Sequence, residues 1–206
     1  MTTAIEHNEA LIRERLIARD FDGATTLALK AYGSEIVGFL VATERDETAG
    51  VDVFSEFCED LWRGIEGFRG QSSFRTWAYS LARNAAHRRR RDPFIKRGVP
   101  LAKAPEIFEL ADKIRTTTLM HLRTEVRDAV TKLRDRLDEA DRELLVLRVN
   151  RKMSWAEIAE IVEGDDASEA ERKRRAAALR KRYERVKERL KVMAREEGLL
   201  KSRRCE

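Results

Sequence analysis

The sequence contains few of the residues on which disulfide-linked, zinc-bound or turn-rich folds depend. Among 206 residues there are two cysteines, three prolines and ten glycines. Two cysteines cannot form a disulfide framework or a four-cysteine zinc site. So few glycines and prolines also argue against an all-β sandwich. We therefore expect a protein that uses no metal and no cofactor.

Long apolar runs are absent as well. No stretch of 18 or more apolar residues occurs in the sequence, so it predicts no membrane-spanning helix. The first residues, MTTAIEHNEALIRERL, are charged throughout and lack the apolar middle of a secretion signal. These features predict a cytoplasmic location. Because no glycine-rich phosphate loop or nucleophile–base arrangement is visible, we do not expect an enzyme.

Charge is present in large amounts and is unevenly distributed. The net charge is +5. Residues 44–66 carry eight acidic and two basic side chains, whereas residues 83–97 carry seven basic and one acidic, and residues 169–191 eleven basic and four acidic. The two basic segments predict contact with a polyanion at two places. The acidic segment predicts a partner of a different kind.

Apolar residues recur at helical spacing along most of the chain and predict an all-α fold. The first forty residues are interpreted as two helices that break near Asp20–Gly23. A third helix is predicted from about Val51 to Glu66, and Cys58 on its apolar stripe is expected to be a buried, unreactive thiol. A fourth begins at Phe74, after serines that can cap it, and ends before Pro93.

The middle of the chain predicts a linker. All three prolines lie between residues 93 and 105, and each disfavours helix at the residue before it. We expect extended chain over residues 92–117, with helix resuming near Thr118 and reaching Leu137. The predicted organisation is two small helical domains, residues 1–92 and 118–206, joined by a linker at residues 93–117.

Two capping boxes organise the C-terminal part. Ser154 with Glu157, and Ser168 with Glu171, have the S-x-x-E spacing that satisfies free amides at a helix start. The first box opens a short helix that reaches about Val162, and the second opens a long basic helix that reaches about Glu197. The segment EADRELLVLRV before them is predicted to be a third helix. This layout is typical of a helix-turn-helix DNA-binding domain.

The segment SSFRTWAYSLARNAAHRRRR combines cations with aromatic rings. Arginines can hold phosphates while rings stack on unstacked bases, which suits single-stranded nucleic acid. The alternative is a solvated helix end whose arginines favour the C-terminal dipole, with Trp77 in the core. In the long C-terminal helix, arginines could bridge guanines. There the alternative is an exposed helix or coiled coil with Leu179, Tyr183, Val186 and Leu190 as its apolar seam.

Two blocks resemble a known family. Tyr32, Phe39, Phe54 and Trp62 followed by GFRGQSSFRTWAYSLARN and an arginine run resemble region 2 of bacterial sigma factors, of the extracytoplasmic-function type. The segment LDEADRELLVLRVNRKMSWAEIAEIV followed by ALRKRYERVKERLK resembles their region 4. Together the blocks cover about residues 25–92 and 126–192. The resemblance implies a subunit of RNA polymerase that directs promoter-specific transcription initiation.

The resemblance also implies DNA-binding residues. The loop from Phe68 to Ser73 and the helix after it would hold a flipped base of the −10 promoter element, and the C-terminal helix would enter the major groove at the −35 element. The residues implied at the −10 element are Arg69, Gln71, Ser72, Arg75, Trp77, Asn84, His87 and Arg88. The residues implied at the −35 element are Arg175, Arg180, Lys181, Arg182 and Arg185. One departure is the segment EGDDASEAERKRRA, which is about ten residues longer than the usual helix-turn-helix connection.

The second departure concerns docking to polymerase. The acidic Asp-Ala-Glu-Asp motif of the family, which docks on the β′ clamp helices, aligns with Ala49-Gly50-Val51-Asp52, so two of its three acids are missing. The residues implied in core polymerase binding are Asp52, Phe54, Glu56 and Glu59. Thr48 and Ser55 lie on the same helical face as Asp52 and Glu59. Phosphorylation of either would add about −1.5 to −2 charge, which suggests activation by a Ser/Thr kinase.

The sequence thus predicts a sigma factor whose partners are core polymerase, at the β′ clamp helices and the β flap, and promoter DNA. A Ser/Thr kinase or an anti-sigma factor is a further partner. One alternative is a helix-turn-helix regulator that binds duplex DNA without joining polymerase. It leaves the block around Trp77 and Asn84 unexplained. A helical adaptor with basic faces for acidic partners is a second alternative.

Overall fold

The structure is a computed structural model, which describes residues 2–44, 46–91, 104–124, 129–164 and 168–199. Within these ranges the regular structure is helical and contains no strand, as the sequence predicts. The helices are α1 (Thr2–Ile17), α2 (Phe21–Glu44), α3 (Glu47–Gly64), α4 (Phe74–Arg91), α5 (Pro105–Thr124), α6 (Ala129–Asp135), α7 (Glu139–Leu145), α8 (Trp155–Glu163) and α9 (Glu169–Glu196). No helix in the described ranges is long and apolar enough to cross a bilayer.

Contacts between residues divide the chain into two units. Residues 1–124 together with 160–165 form the first, and residues 125–159 together with 166–206 form the second. The first unit is built around α2, which packs against α1, α3, α4 and α5. Its fully buried side chains include Phe39, Phe57, Phe74 and Tyr79, and the rings of Phe39 and Tyr79 meet edge to face with centroids 5.2 Å apart. Large aromatic rings of this kind supply much of the energy of a helical core.

Helix α3 begins earlier than predicted. It starts at Glu47, not Val51, and Asp46 caps it by accepting the amide of Thr48 at 2.8 Å. A carboxylate at this position satisfies a free amide and favours the helix dipole. Gly50 allows α3 to approach α2, because a Cβ atom there would lie 2.8 Å from the backbone of Val41. Gly50, which stands at one position of the aligned docking motif, is therefore required by packing.

Helix α5 differs from the expected extended linker. It begins at Pro105, whereas the sequence analysis expected helix from Thr118. Proline is well tolerated in the first turn of a helix, where its missing amide would be unpaired anyway. The predicted extended segment at residues 92–103 lies outside the described residues, as do residues 125–128 of the predicted helix to Leu137. Helix α5 packs on α2 and α3.

The second unit packs α6 and α7 against α9. Its apolar cluster contains Leu133, Leu137, Val186, Met193 and Ala194. The predicted helix EADRELLVLRV is observed as α7, followed by one π-helical turn at Val146–Asn150. Both capping boxes are confirmed: the side chains of Glu157 and Glu171 accept the amides of Ser154 at 2.7 Å and Ser168 at 2.9 Å.

Candidate functional site

One face of α3 is turned away from the core and carries four polar side chains at helical spacing. We call Thr48, Asp52, Ser55 and Glu59 the α3 strip. Thr48 and Ser55 are exposed, and Asp52 and Glu59 are half-buried. The hydroxyl of Ser55 donates only a long hydrogen bond of 3.3 Å to the carbonyl of Val51 in its own helix. The strip therefore presents two hydroxyls and two carboxylates together, as the sequence predicts.

Arginines from the end of α4 border one side of the strip. Arg89 pairs with Asp52 at 2.6 Å and with Glu56 at 3.3 Å. Arg88 pairs with Asp60, and Arg90 pairs with Glu44. The arginine run at residues 88–90 is thus engaged within the unit, and the acid that remains from the docking motif has a cation beside it. These contacts of α4 with α3 and with the end of α2 offset much of the negative charge on this face.

Helix α5 borders the other side of the strip. Two cavities of about 670 Å³ and 730 Å³ lie between α3 and α5. Ser55 lines the first and Thr48 lines the second, and Arg115 of α5 lines both. Each hydroxyl of the strip therefore lies at the edge of a groove that contains the same guanidinium group.

Two buried residues of α3 face the core. Phe54 is only 1% exposed and packs against Phe57, with ring centroids 5.8 Å apart. Its expected contact with a partner is therefore replaced by a core role, because helical spacing turns it about 160° away from Asp52. Cys58 is buried, as predicted, and burial raises the pKa of its thiol. A thiol in this state is a poor nucleophile.

The loop before α4 presents polar side chains beside a cluster of aromatic rings. Gly70 has a φ of +68°, a conformation that other residues adopt only with strain. On either side of it Arg69 and Gln71 are exposed, and Ser72 is half-buried. The ring of Trp77, also half-buried, packs on Phe68 and Phe74 with centroids 5.2 Å away. The loop combines a cation, an amide and a partly accessible indole.

Arg75 has a role that the sequence analysis did not expect. Its side chain is 8% exposed, and its Nε and Nη2 donate to the two carboxylate oxygens of Glu35 at 2.7 and 2.8 Å. Its guanidinium also lies 5.5 Å from the ring centroid of Tyr79. These two hydrogen bonds join α4 to α2. The guanidinium of Arg75 is engaged with Glu35 and is not exposed for the expected DNA contact.

Farther along α4, the other predicted residues lie closer to the surface. Asn84 is exposed, and His87 and Arg88 are half-buried. Arg88 makes its ion pair with Asp60 of α3. Asn84 is therefore the side chain in this group that the solvent reaches most readily.

The cations of helix α9 differ in exposure. Arg180, Lys181 and Arg185 are exposed, and we call them the outer cations; Arg175 is half-buried. Arg182 instead donates to Asp141 at 2.6 Å and to Asp138 at 3.3 Å. Asp138 also accepts the amide of Asp141, and this bond together with nearby arginines lowers the pKa of its carboxyl. Arg182 therefore joins α9 to α7, whereas the outer cations remain accessible to solvent.

Trp155 joins the start of α8 to α9. Its ring meets that of Tyr183 edge to face at 5.4 Å, and Arg148 and Arg180 place their guanidinium carbons 4.8 and 5.9 Å from its centroid. Stacked arginines of this kind are held in orientation. Arg180 is thus positioned while it remains exposed.

The carboxylates that hold these arginines are not predicted by the sequence patterns. Glu35, Asp60 and Asp141 lie 40, 28 and 41 residues from their partners along the chain. Helical spacing relates residues three or four apart, so it gives no signal for pairs this distant.

Comparisons with known proteins show what the chain is similar to. Residues 28–93 match the Sigma-70 region 2 family. The chain is also 31% identical over 167 residues to the RNA polymerase sigma-H factor of Pseudomonas aeruginosa, an alignment that covers 77% of this chain and 83% of that relative. No solved structure is significantly similar to the chain.

The Sigma-70 region 2 match and the similarity to a sigma factor place the chain among DNA-binding proteins of transcription initiation. The chain belongs to the bacterial RNA polymerase sigma factors, which act with core polymerase and promoter DNA in transcription initiation. Sigma factors in general are not themselves enzymes.

Proposed function

We propose that this chain is a sigma factor of the extracytoplasmic-function type that recognises promoters at two elements. The loop at residues 68–73 and the exposed face of α4 would bind the non-template strand of the −10 element. Exposed Arg69 and Gln71 beside the half-buried Trp77 support this role, because single-stranded bases are held by cations and aromatic faces together. Arg75 is not included, because Glu35 occupies its guanidinium.

The outer cations of α9 would read the −35 element. Arg180, Lys181 and Arg185 are exposed on one helix, and arginine can donate two hydrogen bonds to guanine in the major groove. Arg175 at the beginning of this helix would contact phosphate. Family membership supports binding of the second unit to the β flap of polymerase. Arg182 is left out of the DNA-binding set, because it would stabilise the unit itself.

The α3 strip would dock on the β′ clamp helices and would require added charge to do so. The observation that carries this proposal is that Asp52, the acid retained from the docking motif, is already paired with Arg89. Two exposed hydroxyls lie on the same strip. A phosphate on Ser55 or Thr48 would add about −1.5 to −2 charge, which exceeds what one arginine neutralises. A Ser/Thr kinase would therefore activate the protein.

The test compares binding to core polymerase by chains that differ at the strip. Incorporating phosphoserine at Ser55 is expected to tighten binding about tenfold or more, because charge-assisted contacts are the strong ones. Phosphothreonine at Thr48 is expected to act in the same direction. The dissociation constant can be measured by fluorescence anisotropy, and the same modification at the exposed Ser34 of α2 serves as a matched control.

Two results would contradict activation by phosphorylation of the α3 strip. If the unphosphorylated chain with Thr48→Ala and Ser55→Ala binds core polymerase and supports full transcription, activation through these hydroxyls is excluded. Equal effects of phosphate at Ser34 and Ser55 would also exclude it, because the gain would then come from net charge alone.

A further inference from the structure

The first turn of α4 is capped by a residue that lies far away in sequence. Glu9 of α1 accepts the backbone amides of Phe74 at 2.8 Å and Arg75 at 2.9 Å. It also accepts the hydroxyl of Tyr32 at 2.9 Å. Burial and this carboxylate both raise the pKa of Tyr32, so the phenol remains a hydrogen-bond donor. Glu9 lies outside residues 28–93, the part of the chain that matches the family.

The first three amides of α4 all have partners outside the backbone ladder of the helix. Glu9 takes the amides of Phe74 and Arg75, and the hydroxyl of Ser73 takes that of Thr76 at 3.0 Å. Amides in the first turn have no partner in the backbone ladder of their own helix. That ladder begins with the amide of Trp77, which donates to the carbonyl of Ser73 at 3.0 Å. A carboxylate beside the first-turn amides is further favoured by the helix dipole.

This arrangement affects how the adjacent loop can meet DNA. The positive end of α4 would otherwise attract a phosphate, but the Glu9 carboxylate already occupies it. Contacts from this part of the unit must therefore come from side chains of the loop, where Arg69 and Gln71 are exposed. The orientation of that loop depends on the first turn of α4, because Ser73 belongs to both. The cap from α1 thus fixes the base of the loop.

We propose that Glu9 is a positioning residue for −10 recognition and that α1 acts on the DNA-reading loop only through this cap. This inference rests on the proposed role of the loop at residues 68–73. Without the carboxylate, two amides at the start of α4 lose their partner, and the loop samples other orientations. DNA binding then weakens although no residue that touches DNA has changed. Docking through α3 is unaffected.

The experiment uses the variant Glu9→Gln in holoenzyme assembled with core polymerase. A single-stranded DNA ligand is first selected from a random pool by the wild-type holoenzyme. Affinity for this ligand is expected to fall about tenfold in the variant, because glutamine offers one neutral acceptor where Glu9 offers two charged oxygens to the amides. Affinity for core polymerase is expected to change less than about twofold. Glu6→Gln, at an exposed position of the same helix, controls for the change of charge.

A second variant separates positioning from general stability. Ile12→Val removes one buried methylene from α1, where Ile12 is 1% exposed, and leaves the Glu9 cap intact. Melting temperatures are measured for both variants at the assay pH. The inference predicts that Ile12→Val lowers the melting temperature but retains the wild-type affinity for the DNA ligand.

Three results would overturn the inference. Wild-type DNA affinity in Glu9→Gln excludes a positioning role. If Ile12→Val loses as much DNA affinity as Glu9→Gln for the same decrease in melting temperature, the effect comes from reduced stability. If the wild-type holoenzyme selects no sequence from the pool, the proposed function of the loop fails, and the role of Glu9 fails with it.

Discussion

Replacing Arg75 with methionine is expected to lower the free energy of unfolding of the first unit by about 3 to 5 kcal/mol. The change leaves Glu35 partly buried without the guanidinium that donates to both of its oxygens. It also removes the cation over the ring of Tyr79. Equilibrium unfolding in denaturant, followed by circular dichroism, measures the loss.

The double variant Arg75→Met, Glu35→Leu is the matched control for this prediction. Replacing both partners with apolar side chains removes the uncompensated charge, so most of the lost stability is expected to return. If Arg75→Met costs less than about 1 kcal/mol, the pair behaves like an exposed ion pair. The structural role assigned to Arg75 would then be wrong.

The double variant Arg180→Ala, Arg185→Ala is expected to weaken binding of holoenzyme to its duplex promoter by about 100-fold, since each lost base contact costs about 1 to 3 kcal/mol. Both side chains are exposed on α9, so unfolding of the second unit should change little. Titration of labelled promoter DNA at fixed salt concentration gives the affinity.

The control for α9 is Lys191→Ala. Lys191 is an exposed cation of the same helix, and it pairs with Glu188 at 2.5 Å. Its removal lowers the charge of the helix but should leave promoter affinity almost unchanged. If each charge removed lowers promoter affinity equally in the double variant and in the control, α9 contributes only nonspecific attraction. Its assignment to the −35 element would then be wrong.

Local patterns predicted the helices and their caps well. The Ser154 and Ser168 capping boxes involve residues three apart, and both form as expected. The polar face of α3 follows from helical periodicity, and it is observed. These features depend on neighbours within one turn, which the sequence shows directly.

Residues whose roles depend on tertiary contacts were harder to assign. Arg75 and Phe54 lie inside family-like motifs, but packing against α2 and the core gives both a structural role. The cap from Glu9 to Phe74 joins residues 65 positions apart. Pro105 suggested extended chain because proline disfavours helix before itself, yet the same residue begins α5. The roles of these residues depend on which helix surfaces pack together, and helical periodicity does not show which surfaces those are.

The most direct test of the account is promoter-specific transcription by core RNA polymerase supplied with this chain. The unmodified and phosphorylated forms are each incubated with core enzyme and genomic DNA, and the 5′ ends of the transcripts are mapped. We expect a small set of start sites that share two upstream sequence blocks, with stronger transcription from the phosphorylated form. Binding to duplex DNA without polymerase, together with an absence of specific transcripts from either form, would contradict the account.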